Sequence, residues 1–90
     1  MKENVSNNLH QLEGVEEAIL KTIAYHSPNG ITPVQIQKEV PIYTMAPVQL
    51  PTIVEKLERL KNIGYTQVEH GTNAWTLTKK GCFEALPVLS

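Results

Sequence analysis

Five of the six prolines fall between residues 28 and 51 (Pro28, Pro33, Pro41, Pro47 and Pro51), and they dictate where regular structure can run. Proline lacks a backbone N–H and clashes with the preceding turn, so a helix tolerates it only in its first turn. No helix crosses that stretch unbroken. Longer helices belong before Pro28 and from Pro51 onward, with short elements between.

Before Pro28 the apolar residues recur at Leu12, Val15, Ile19 and Ile23, widened by Ala18, Leu20 and Ala24. That spacing predicts an amphipathic helix. Glu13, Glu16 and Glu17 sit on its early turns, where the helix dipole favours anions. Ser27-Pro28-Asn29-Gly30 ends it, since Asn-Gly accepts left-handed backbone.

Ile31-Thr32-Pro33-Val34-Gln35-Ile36 opens a second helix. Thr32 fits the N-cap, Pro33 the first position and Gln35 the third, which makes a capping box, while Ile31 and Ile36 form a hydrophobic staple. This helix is expected to run to about Val40 and to end at Pro41. A turn rich in proline follows. A third helix then starts near Leu50–Pro51, carries Ile53, Leu57 and Leu60 on one stripe with Val54 and Ile63 beside it, and stops at Gly64.

Two runs rich in β-branched and aromatic residues, 65–69 and 74–78, flank His70-Gly71-Thr72-Asn73 and predict a hairpin. Thr78 is placed to cap a last short helix that carries Phe83 and Leu86 and is closed by Pro87. The expected core is Val15, Ile19, Ile23, Ile36, Ile53, Leu57, Leu60, Trp75 and Leu77, with Trp75 filling the seam between hairpin and helices. Cys82, beside Phe83, is expected to pack as a small apolar residue.

Ninety residues, 41% of them hydrophobic and 19% charged, suit one small folded domain. Residues 1–10 are expected to be a flexible segment and 11–90 the domain. A net charge of −1 speaks against a globally basic nucleic-acid coat. The single cysteine permits no internal disulfide, and His10, His26 and His70 show no ligand spacing, so neither metal nor cofactor is expected. There is no apolar run for a signal peptide or a membrane span, so a cytoplasmic, soluble protein is expected. The chain contains no Asp, no glycine-rich phosphate loop and no His-Glu-x-x-His, and Cys82 has no His-Asn context, so no catalytic residues are assigned.

The element order and three local words, Gly30-Ile31-Thr32-Pro33, the helix Ile53-Val54-Glu55-Lys56-Leu57-Glu58-Arg59-Leu60 ending in Gly64-Tyr65, and the strand exit Trp75-Thr76-Leu77-Thr78-Lys79-Lys80-Gly81, resemble the winged helix-turn-helix DNA-binding domains over about Val15 to Leu86. The fold implied is α+β but mainly α: a three-helix core, a β-hairpin wing and a short C-terminal helix. The function implied is a small transcriptional regulator that binds double-stranded DNA with its third helix in the major groove. Carried over by position, Gln49 and Thr52 reach bases, Lys56 and Arg59 meet phosphates, His70, Thr72 and Asn73 form the wing, and Lys79 and Lys80 extend the basic strip.

An alternative reading belongs to a different class. The wing carries Glu69 and no Lys or Arg, and Glu55 lies on or near the outer face of the third helix. A winged-helix module that binds protein through Ile42, Tyr43 and Met45 fits that charge pattern. Apolar residues outside the stripes (Val5, Leu9, Ile42, Tyr43, Met45, Val88 and Leu89) further predict a homodimer built from the terminal segments, with the proline-rich turn as the other surface.

Overall fold

The computed structural model describes residues 14–85. They form an α+β domain, mainly helical, with a two-stranded antiparallel sheet. The order is α1 (Gly14–His26), α2 (Pro33–Glu39), α3 (Pro41–Thr44), α4 (Leu50–Asn62), β1 (Thr66–Glu69), β2 (Ala74–Leu77) and a π-helical turn (Gly81–Ala85). Residues 1–10, expected to be flexible, and Leu86, Pro87, Val88 and Leu89 lie outside the described residues.

Helix α1 buries Ala18, Ile19, Leu20 and Ile23 against α2, α4 and β2. From α4 come Ile53, Leu57 and Leu60, all fully buried, and from α2 Ile36. Trp75 and Leu77 of β2 close the core from the hairpin side. Every residue of the expected core is in it except Val15, which is half-buried at its edge. Trp75 fills the seam as expected, though its Nε1 and the Oγ1 of Thr66 find no hydrogen-bond partner among the described residues.

Thr32 caps α2 with extended backbone, and its Oγ1 accepts from the N–H of Gln35 at 3.4 Å. The return arm of the expected capping box is missing, because the Gln35 side chain donates along the helix to Glu39 at 3.3 Å instead. Ile31 does more than staple. Its N–H and C=O exchange hydrogen bonds of 3.1 and 2.9 Å with Trp75, adding a one-residue bridge to the free side of β2. Gly30 makes that approach possible: its φ is +86°, and an added Cβ would stand 3.0 Å from Ala74 Cβ.

Pro41 both ends α2 and begins α3, a single turn that the proline-rich stretch hid. Proline at the first position of a helix loses nothing, since that N–H has no intrahelical partner. Met45 caps α3 in the left-handed region, φ 64°, where glycine is the usual occupant.

After α4 the chain reverses at Gly64, φ +92°. The hairpin pairs Thr66 with Leu77, Gln67 with Thr76, Val68 with Trp75 and Glu69 with Ala74. Thr78 caps the last turn as expected, its Oγ1 accepting from the N–H of Gly81 and donating to the carbonyl of Gly64. Two expectations fail at this end. Cys82 is exposed rather than packed, and Phe83 is 79% exposed. The wider π-helical winding turns both away from the core, and Tyr65 takes the buried aromatic position there.

Candidate interaction surface

Helix α4 with its N-cap carries four of the nine predicted DNA-contacting residues, and its burial pattern fixes where each of these points. Ile53, Leu57 and Leu60 define the inner face. Opposite them Pro51, Glu55, Glu58 and Asn62, spaced i, i+4, i+7 and i+11, form the outermost exposed line. Gln49, Thr52, Lys56 and Arg59 share a different line, on the flank between the outer and inner faces. Gln49 is exposed at the N-cap, Thr52 and Lys56 are half-buried, and Arg59 is exposed. This flank turns toward α1, because Arg59 Nη1 donates to Glu16 Oε2 at 2.9 Å.

The other cations near this face are also engaged. Lys61 stands 3.8 Å from Glu58. Lys80 Nζ donates to the carbonyl of Ile63 at 2.8 Å, at the C-terminal end of α4, and lies 5.7 Å from the centre of the Tyr65 ring. A cation there is favoured by the helix dipole, so Lys80 has a structural task. Lys79 is exposed.

His70, Thr72 and Asn73 lie together at the exposed hairpin turn, where Thr72 Oγ1 donates to Glu69 at 3.0 Å and Asn73 takes a left-handed φ of 58°. Lys79 and Lys80 follow β2 at its other end, roughly 13 Å away for strands of this length. The structure therefore gathers the wing residues with one another, but not with the basic residues.

Tyr65 is held away from its ordinary titration behaviour. Burial raises its pKa above the usual value of 10.0, and the neighbouring Glu84 carboxylate adds to this through its charge and through the hydrogen bond it accepts.

A second surface lies on the side of α1 and α3. Ile42 is 70% exposed and Met45 87% exposed, with Tyr43 between them. Beside them a groove of about 460 Å³ runs between the two helices, lined by Gly14, Val15, Glu17, Ala18, Lys21, Tyr43 and Thr44. Lys21 Nζ lies 5.7 Å from the centre of the Tyr43 ring. The sequence reading singled out Ile42, Tyr43 and Met45 but missed the α1 side of the groove. It also took Glu16 for an ordinary first-turn acid, whereas Glu16 is fully buried.

Among the described residues no three His, Cys, Asp or Glu side chains come together as metal ligands, and no helix is long and apolar enough to cross a membrane. No protein-family model, curated protein or solved structure matches this chain.

Proposed function

We propose that the chain is a winged-helix domain that acts by binding another protein, with α1 and α3 as its contact face. The observation that carries this reading is the contrast between its two surfaces. The outer line of α4, where a winged helix would meet the major groove, presents Pro51, Glu55, Glu58 and Asn62. Arg59, assigned to phosphates by resemblance, and Lys80, expected to extend the basic strip, hydrogen-bond to acceptors within the protein. Phosphate affinity depends on cations free to displace counterions, and two outward carboxylates oppose it. On the α1–α3 side, by contrast, Ile42 and Met45 stand exposed next in the chain to Tyr43 and Thr44, which face Val15 and Ala18 across a groove. Contiguous exposed apolar residues of this kind mark contact sites.

The arrangement of α1, α2 and α4 with a hairpin after α4 supports the winged-helix part of the reading, as does the bridge from Ile31 to β2. The second reading is a duplex-DNA regulator. In its favour, Gln49 stands exposed at the N-cap of α4 and Thr52 sits half-exposed in the first turn. Titration of the protein into labelled mixed-sequence duplex at roughly 50 mM salt separates the two. The expected result is no saturable binding. Binding that weakens steeply as salt is raised would overturn the protein-partner reading and restore the DNA one.

A further inference from the structure

Resting on that reading, we propose that the partner is an acidic amphipathic helix, laid along an exposed apolar ridge that α2 and α3 form together. Helical winding carries from α2 into α3. Val40 is helical, with φ −55° and ψ −36°; its N–H donates to the carbonyl of Ile36 at 2.8 Å, and its own carbonyl accepts from Thr44 at 3.1 Å. Pro41 marks the boundary because it takes one N–H out of the run. Residues spaced by four remain neighbours across it. Val34, Lys38 and Ile42 have that spacing and all three are exposed, with exposed Met45 following at the end of α3. A surface helix ordinarily turns its polar side outward. This outward ridge is apolar except at Lys38. Side chains at i, i+4 and i+8 form the kind of ridge that seats in the groove of a second helix, and an amphipathic helix supplies the apolar face to meet it.

Lys38 sets the sign of the partner. Among the described residues its ammonium group has no ion-pair partner. The next carboxylate in the chain, Glu39, is held by His26 at 2.8 Å and by Gln35 at 3.3 Å. Glu17 lines the groove between α1 and α3, where Lys21 one turn further on offsets it. A lysine with an apolar residue one turn to either side matches a glutamate set among the apolar anchors of a second helix. A basic helix would bring two cations face to face at that point, which opposes docking. Met45 also argues for a contact role. It occupies a left-handed cap that glycine would fill with less strain, yet its side chain is almost fully exposed.

The test uses two synthetic amphipathic helical peptides with identical leucine positions, one carrying glutamate and the other lysine on the remaining positions. Each is titrated into the isotope-labelled full chain and followed through the backbone amide resonances. The glutamate peptide is expected to shift the amides of Val34, Lys38, Ile42 and Met45 and to saturate. The lysine peptide should bind on the order of tenfold more weakly. Lys38→Glu should invert the order of the two peptides, which a loss of folding would not do, and Lys38→Gln should bring them level. Equal binding of both peptides to the unmodified chain, or a preference for lysine, overturns the acidic partner and leaves the protein-binding face standing. Shifts confined to other residues overturn the ridge as the docking surface. Neither peptide binding, with duplex DNA ignored as well, overturns the acidic helix as partner. Salt-sensitive binding to duplex overturns the underlying reading.

Discussion

Arg59 on α4 and Glu16 on α1, 43 positions apart in the chain, meet at 2.9 Å with the carboxylate fully buried and the guanidinium half-exposed. The pair ties the two 13-residue helices together. It also engages the chain's single arginine on one side while half of its side chain stays exposed. Breaking a buried pair costs more than the pair contributes, because one charge is left desolvated.

Arg59→Leu is therefore expected to destabilise the fold by about 1–3 kcal/mol, discounted for the exposed guanidinium. Glu16→Gln should cost less, and the two changes together less than their sum. A double-mutant cycle in urea measures this. Strict additivity would show that the contact contributes no coupling.

Leu57 is fully buried at the centre of the inner face of α4. Truncating Leu57→Ala should cost about 2–5 kcal/mol through lost transfer energy and the cavity left behind. Unchanged melting would contradict the packing of α4 on α1 and α2.

Gly81 packs directly on the backbone of Tyr65, and an added methyl group would collide with that carbonyl. Backbone cannot swing aside as a side chain can. Gly81→Ala should destabilise by about 1–3 kcal/mol, and chemical denaturation checks it. A neutral result would mean that the last turn is free to shift.

Tyr65 predicts the alkaline behaviour. Its folded-state pKa is raised above 10.0, first by burial and then by Glu84, so the folded state keeps the proton after the unfolded state has lost it. The stabilisation is fully present below the unfolded value and is lost as pH rises through the folded one. Tyr65→Phe keeps the ring and removes the titration. Melting curves over roughly pH 9–11 should fall less steeply for that variant than for the wild type. Parallel curves would show that Tyr65 titrates alike in both states.

Met45 combines a positive φ with almost complete exposure. Met45→Gly relieves the left-handed strain of about 1 kcal/mol while making the unfolded chain more flexible by a similar amount. Thermal and urea stability should stay within about 0.5 kcal/mol of wild type. A large loss would mean that the Met45 side chain packs within the monomer.

Periodicity and punctuation in the sequence were enough to locate α1, α2, α4 and the hairpin, and to choose eight of the nine expected core residues correctly. These are local matters. Apolar spacing selects the face of a helix, proline and glycine set its ends, and both act over a few residues. The one-turn helix α3 escaped because its four residues, Pro41–Thr44, carry no period and begin at a proline that also ends α2. The outward turning of Cys82 and Phe83 escaped because a π-helical winding shifts the side-chain phase, which a spacing of 3.6 residues does not anticipate.

The sequence by itself determined which residues are basic, apolar or able to cap a helix, and so which side chains are on offer to a DNA or protein partner. Only the tertiary structure decided which of them remain available. Arg59 finds Glu16, Lys80 finds the end of α4, and Gly14, Glu17 and Lys21 come to border Tyr43. Those neighbours lie tens of residues apart in the chain. Helix packing brings them together, and no local pattern of residue types encodes the angle at which two helices cross.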